Sequence, residues 1–255
     1  MLVLVAHGSR DPAGARAITA LAREVRRRID PVGVRVAYAD VRAPSVTDVL
    51  AEAAWDGEGA VVVPAFLGSG YHVRADIPAQ IAASGHDRAL LAAPVGPAPE
   101  LVGVLLDRLA AVGYRAGDRV VLAAAGSSDP RALASTHDMA YLLATRLGTP
   151  VRIGYAATAR PPIAELVRQE RGRGRVAVAS WLLAPGLFQR ALAACEADAV
   201  ADPLCALPPG GAVDIPSRLV EVIERRYRAA CHGAGDHQAP VVAPAASRRL
   251  GRMVV

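Results

Sequence analysis

Short unbroken apolar runs alternate along the chain with longer stretches in which apolar residues recur every three or four positions. Runs rich in valine, alanine and leucine at about 2–7, 33–39, 59–66 and 89–93 predict strands buried on both faces. Amphipathic stretches at about 13–29, 44–55, 75–84 and 98–112 predict the helices between them. The same order then recurs, with strands near 119–125, 150–156, 175–183 and 198–201 and helices near 130–147, 161–171, 187–195 and 215–229. Strict β-α alternation predicts an α/β fold: parallel sheets flanked by helices and joined by right-handed crossovers. Asp11-Pro12 and Asp129-Pro130 each put a capping acid before a proline at the first helical position, and Asp76 with Pro78 has a similar flavour.

The alternation hides a duplication. Gly8-Ser9-Arg10-Asp11-Pro12 returns as Gly126-Ser127-Ser128-Asp129-Pro130, an offset of 126 minus 8, or 118. Val34-Arg35-Val36-Ala37-Tyr38-Ala39 returns as Val151-Arg152-Ile153-Gly154-Tyr155-Ala156 at offset 117, and Phe66-Leu67-Gly68-Ser69-Gly70 faces Leu182-Leu183-Ala184-Pro185-Gly186 at 116. So slow a drift is what small loop deletions produce, and the chain reads as two tandem copies of one unit. The expected limits are 1–115 for the first unit, 116–230 for a degenerate second copy, and a disordered tail over 231–255.

The two copies differ where chemistry could sit. His7 ends the first strand and His72 lies in the long loop after the third, both on the edge of a parallel sheet where sites gather. The second copy has Ala125 and Phe188 at these places. A histidine needed for packing would be expected in both copies, whereas one needed for chemistry can be lost from a copy without a site. Asp40, after the second strand, would face the same edge. Two imidazoles and a carboxylate suit a borderline divalent ion such as Fe2+ or Co2+ with open positions for exchange. The plainer alternative is that His7 caps a strand and His72 bonds loop backbone.

Arg10, Arg42 and Arg74 each follow one of these residues at a spacing of two or three, which could ring the site with guanidiniums for carboxylates. Ser9, Ser69, Gly70 and Tyr71 could add hydroxyl and amide donors, and the Gly68-Ser69-Gly70 loop lets backbone approach a ligand. His86 reads as an exposed turn residue, His137 as a helix surface position, and Trp55 and Trp181 as core.

Composition narrows the classes. A chain of 255 residues, 53% hydrophobic and 21% charged, can bury a large core. All 29 basic residues are arginine, so a Walker A phosphate loop, a Schiff-base lysine and a lysine general base are excluded. A net charge of +5 suits a polyanionic ligand, while 4% aromatic content and scattered arginines argue against nucleic acid. Met1 to Ala6 is too short for a signal-peptide core and no apolar stretch reaches membrane-span length, so a cytoplasmic protein with no membrane partner is expected. Cys195, Cys205 and Cys231 are odd in number and lack CxxC spacing; reduced thiols without a role are expected. Cys231-His232 with His237 is read as solvated tail.

The stretch Ala6-His7-Gly8-Ser9-Arg10-Asp11-Pro12, together with Phe66-Leu67-Gly68-Ser69-Gly70-Tyr71-His72-Val73-Arg74-Ala75-Asp76-Ile77-Pro78, resembles the sirohydrochlorin chelatases of the class II chelatase superfamily in their longer, two-unit form. The resemblance covers about residues 1–230. It implies insertion of Fe2+ or Co2+ into sirohydrochlorin, in sirohaem or cobalamin biosynthesis, by an enzyme whose metal is substrate and which holds no permanent cofactor. It further implies His7 and His72 as metal ligands and proton acceptors, with Asp40, before Ala43-Pro44-Ser45, in the place of the family's usual glutamate, orienting an imidazole or relaying a proton. The substrate would lie in a cleft between the units, with the degenerate half as its other wall. A tandem repeat can replace a homodimer, so a monomer is expected. Two further readings use the same residues: a non-catalytic metal or tetrapyrrole carrier, and a phosphate-binding α/β protein, the latter weakened by the lack of a GxGxxG fingerprint.

Overall fold

The computed structural model describes residues 1–208 and 210–236. Its elements run β1 (Leu2–Ala6), α1 (Pro12–Arg28), β2 (Val34–Tyr38), α2 (Val46–Trp55), β3 (Ala60–Pro64), a π-helical turn (His72–Asp76), α3 (Ile77–Ala83), β4 (Ala89–Leu91) and α4 (Glu100–Ala111), then β5 (Arg119–Ala124), α5 (Pro130–Leu147), β6 (Val151–Tyr155), α6 (Ile163–Arg171), β7 (Val176–Trp181), α7 (Leu187–Ala193), β8 (Ala199–Val200) and α8 (Ser217–Asp236). Two parallel four-stranded sheets result, ordered β2-β1-β3-β4 and β6-β5-β7-β8. Strand β1 lies between β2 and β3, with Ala6 opposite Tyr38 and Val5 opposite Pro64. The segments that follow β1, β2 and β3 therefore leave the sheet side by side on one edge, at the point where strand order reverses.

Local sequence explains the helix limits. Asp11 accepts a hydrogen bond from the Ala13 amide at 2.9 Å and Asp129 one from Arg131 at 2.9 Å, each ahead of a proline that needs no partner for its missing N–H. Along α1 the buried Gly14, Ala17, Ile18, Leu21, Ala22 and Val25 form one stripe, with Arg26, Arg27 and Arg28 favourably placed on the carboxyl end of the helix dipole. Gly8 and Gly126 turn the chain at φ +102° and +94° after the two first strands, a conformation that side chains rarely adopt.

One apolar cluster runs through the centre of the molecule and draws on both sheets. Two smaller clusters cover the outer faces, one under α2 and α3, the other under α6 and α7. The central layer holds a feature that periodicity does not show. Helix α8, the last of the second half, packs on β3 and β4 of the first sheet, and α4, the last of the first half, packs on β7 of the second. The two halves thus exchange their final helices, so the sequence repeat and the packing unit do not coincide. Where α4 and α8 meet, Gly103 leaves space for the Arg218 guanidinium; a Cβ there would come within 3.0 Å of Nε. Ion pairs Arg218–Asp107, Arg225–Glu100 and Arg28–Glu224 edge this layer.

Four local expectations change. Residues 231–236, expected in a disordered tail, continue α8; the remainder of that expected tail, with His237, lies outside the described residues. Trp55, expected in the core, is 92% exposed at the end of α2, while Trp181 is buried. His86 is in a turn, but buried: its Nε2 meets the Glu58 carbonyl at 2.8 Å and its Nδ1 accepts from the Arg88 amide at 3.1 Å. His72 does not lie in a loop; it opens the π-helical turn. Among the described residues no helix is long and apolar enough to cross a membrane.

Candidate metal centre

His7 follows β1 directly, and Phe66 to His72 follows β3, so neighbouring strands deliver the two imidazoles to one place. Their ring centroids lie 4.5 Å apart at an interplanar angle of 79°. Phe66 flanks both, at 6.2 Å from His7 and 6.0 Å from His72, and the Tyr71 ring is 6.0 Å from His72. The pair opens into a cleft of about 450 Å³ between the halves. From the first half Leu67, Gly68, Gly70, Tyr71 and Val73 also line it; from the second come Ala125, Ser128, Thr158, Trp181 and Phe188, among others.

The π-helical turn decides which atom of His72 faces outward. Four residues on, Asp76 Oδ2 lies 2.8 Å from His72 Nδ1. A carboxylate can only accept, so Nδ1 carries the proton and Nε2 keeps its lone pair for an electrophile. Gln80 secures Asp76 in turn: its Nε2 donates to Asp76 Oδ1 at 3.1 Å and to the Ala39 carbonyl at 2.8 Å, and its Oε1 accepts from the Val46 amide at 3.2 Å. Asp76, expected from Pro78 to cap a helix, makes no capping bond. The signal for its pairing with His72 was the i, i+4 spacing, visible once that segment is helical.

Burial, and secondarily the neighbouring His72, hold the His7 imidazole below its ordinary pKa of 6.5. His7 consequently holds a proton less tightly than an isolated histidine and keeps its lone pair free to lower pH. Asp40 acts in the opposite direction on His7, but its own geometry differs from that expected. Its amide donates to the His7 carbonyl at 3.0 Å, while its exposed carboxylate accepts from the Val41 amide at 2.7 Å. Among the described residues no three histidine, cysteine, aspartate or glutamate side chains gather closely enough to hold a metal. The centre is a pair of imidazoles, with Asp76 rather than Asp40 bonded to one of them.

The remaining expected residues divide. Gly70 and Tyr71 line the cleft. Arg10 is exposed. Ser9 Oγ accepts from the Asp11 amide at 3.1 Å, and Arg42 Nη1 donates to the Ser9 carbonyl at 2.9 Å while lying 5.8 Å from the centre of the Tyr38 ring; Arg42 is occupied by its own half. Ser69 and Arg74 reach across the cleft instead. The Ser69 amide donates to Ser135 Oγ at 3.3 Å, and Arg74 pairs with Asp129 at 3.0 Å. The repeat supplies a mirror contact, Arg190 to Asp11, so each helix cap is held by the arginine two positions past His72 or its counterpart. Gly68 and Gly70 are small for the same reason: a Cβ on either would sit 3.1 Å from Ser135 Cβ or 3.2 Å from Ala132 Cβ of α5. Glycine here admits the other half of the protein.

Two helix-flanked parallel sheets with a paired-histidine cleft between them define a chelatase-like α/β protein. The chain superposes on SirB from Bacillus subtilis, solved with Fe3+, at a TM-score of 0.76 and 20% identity over 92% of this chain and 96% of that one. It also superposes on a CbiX described as the terminal enzyme for siroheme biosynthesis in denitrifying bacteria, at 0.65 and 25% over 88% and 98%. The CbiX family model matches twice, over residues 1–112 and 119–230, and the chain belongs to that family. Among curated proteins, the sirohydrochlorin cobaltochelatase of Methanopyrus kandleri is 37% identical over 78 residues, 30% of this chain and 54% of that protein. The chain thus spans about half the length of the curated relatives it matches.

Proposed function

We propose that the protein inserts a divalent cation, Fe2+ or Co2+, into sirohydrochlorin, and that His7 and His72 hold the ion and receive the displaced protons. The observation that carries this reading is the convergence of the two imidazoles, 4.5 Å between centroids, at the wall of a cleft between the lobes. Similarity to sirohydrochlorin chelatases supports the choice of macrocycle.

The stoichiometry fits. Metallation breaks two pyrrole N–H bonds and forms metal–nitrogen bonds, so the site must release one cation and dispose of two protons. Two imidazoles do both: as each metal–imidazole bond breaks, the freed lone pair stands beside an acidified pyrrole N–H. Asp76 then stabilises the imidazolium formed on His72, while His7, with its lowered proton affinity, returns its proton to water. Only two protein ligands leave most of the cation's coordination positions to water and macrocycle nitrogen, as a substrate ion in transit requires. In this reading the first half carries the chemistry, the second walls the cleft, and Arg10 with Tyr71 borders the peripheral carboxylates.

The test is anaerobic metallation followed by absorbance. His7→Ala and His72→Ala should each abolish insertion with circular dichroism and melting unchanged; turnover retained in both would refute the proposal. A wild-type protein that binds metal and macrocycle without metallating would instead be a carrier.

A further inference from the structure

We propose that Phe188 forms the seat on which the macrocycle rests, holding the face turned away from the incoming cation. This inference rests on the chelatase reading for the identity of the macrocycle.

Comparison of the two halves of the chain, residue against residue, carries it. The Ala157 amide donates to the Ala125 carbonyl at 3.0 Å as the Asp40 amide does to His7 at 3.0 Å, which fixes Ala157 as the counterpart of Asp40. His7, Asp40, His72 and Asp76 are therefore matched by Ala125, Ala157, Phe188 and Leu192. Every titratable group of the centre has an apolar counterpart. The caps and the arginines that hold them do not diverge in this way: Ser9 and Ser127 both accept from a capping aspartate amide, Asp11 and Asp129 both cap, and Arg74 and Arg190 both pair with the opposite cap. At the centre itself, divergence thus turns one wall of the cleft apolar.

That wall is open. Phe188 stays 41% exposed and Leu187 beside it 68%, at positions that answer to His72 and Tyr71. An exposed aromatic in a concave site is the kind of surface that a flat conjugated ring covers, because the π-face is desolvated while carboxylates on the perimeter stay in water. Ser128 and Thr158 border the same wall and can receive perimeter groups. A histidine at position 188 would bind the cation from the second face and hold it there. Phenylalanine offers contact without coordination, so the cation arrives from one side only.

The experiment titrates metal-free sirohydrochlorin into metal-free protein by absorbance, a readout independent of turnover, and measures Co2+ affinity separately. Phe188→Ala should weaken macrocycle binding about tenfold, the scale of one lost aromatic stack. KM should rise with it and by more than kcat falls, and Co2+ affinity should stay as in the wild type. Phe188→Tyr should restore binding. Should the alanine variant unfold, Phe188→Leu, which keeps apolar bulk without the ring, is read in the same titration and should also bind more weakly. Macrocycle affinity within twofold of wild type in the folded variant would overturn the seat. A wild type that binds the macrocycle but never metallates it would sink the chelatase reading and leave the seat standing; one that binds no macrocycle would sink both.

Discussion

Replacing Asp76 by asparagine changes almost no volume and isolates what the carboxylate does for His72. In the native arrangement Oδ2 accepts from His72 Nδ1 at 2.8 Å and Oδ1 accepts from Gln80 Nε2 at 3.1 Å. Asparagine cannot accept at both atoms. If its oxygen keeps Gln80, its NH2 points at His72 Nδ1, which must become the acceptor and send its proton to Nε2, the atom otherwise free to bind metal. If its oxygen keeps His72, two NH2 groups face each other across the Gln80 contact. Either way the imidazole also loses the charged acceptor that fixes its ring orientation and tautomer. Loss of such an outer carboxylate typically costs about 10–100-fold in metal affinity, or about 1.4–2.7 kcal/mol. Asp76 is partly exposed, with 26% of its side chain accessible, so the melting temperature should move little. Calorimetric titration with Co2+ measures the loss directly. The same substitution made in a His72→Ala background should have no further effect, since the group it orients is gone. Co2+ affinity within twofold of wild type for Asp76→Asn, or equal losses in both backgrounds, would refute the argument.

The lowered proton affinity of His7 is readable directly: followed by NMR of its ring protons in metal-free protein, its titration midpoint should lie below 6.5, and a midpoint above 6.5 would contradict the sign of the shift. Because this group gains protons more readily unfolded than folded, its contribution to stability is present at neutral pH and lost as the medium becomes acidic, so thermal melts of His7→Ala should lose less stability than wild type between neutral pH and mild acid. Gly8→Ala would put a Cβ 2.1 Å from the Asp40 carbonyl at φ +102°; a cost of at least about 2 kcal/mol and a fall of about 4–8 °C in melting temperature are expected by calorimetry. Residues 1–112 expressed alone should not fold, since α8 would be missing from β3 and β4 along with Leu219, Val222 and Ile223, each worth about 1.5–3 kcal/mol when buried; a cooperative melt of that fragment would count against the exchange of helices.

The order of strands and helices was open to inspection because buried parallel strands write themselves as unbroken apolar runs and helices as stripes. Hydrophobic patterning says that one face of α4 and α8 is covered; it does not say by which sheet, so the crossing of those helices was invisible. The meeting of His7 and His72 was legible as two strand ends on one sheet edge. Asp76 was hidden by its neighbour Pro78, which suggests a cap, and the π-helical turn that brings it under His72 has no distinct composition. Arg42, Arg74 and Ser69 were placed on the right edge, but spacing could not tell a rim facing ligand from a seam facing the other half. Trp55 and His86 show the limits of residue type: a tryptophan stands in water, and an imidazole is sealed by two backbone groups.

Since each half supplies the last helix over the other's sheet, the copy without the paired histidines remains indispensable. Deleting it would take α8 from the first sheet and uncover β3 and β4 on that face. The duplication is consequently held in place by architecture, which leaves the second copy free to remodel every position except those that carry the other one's weight.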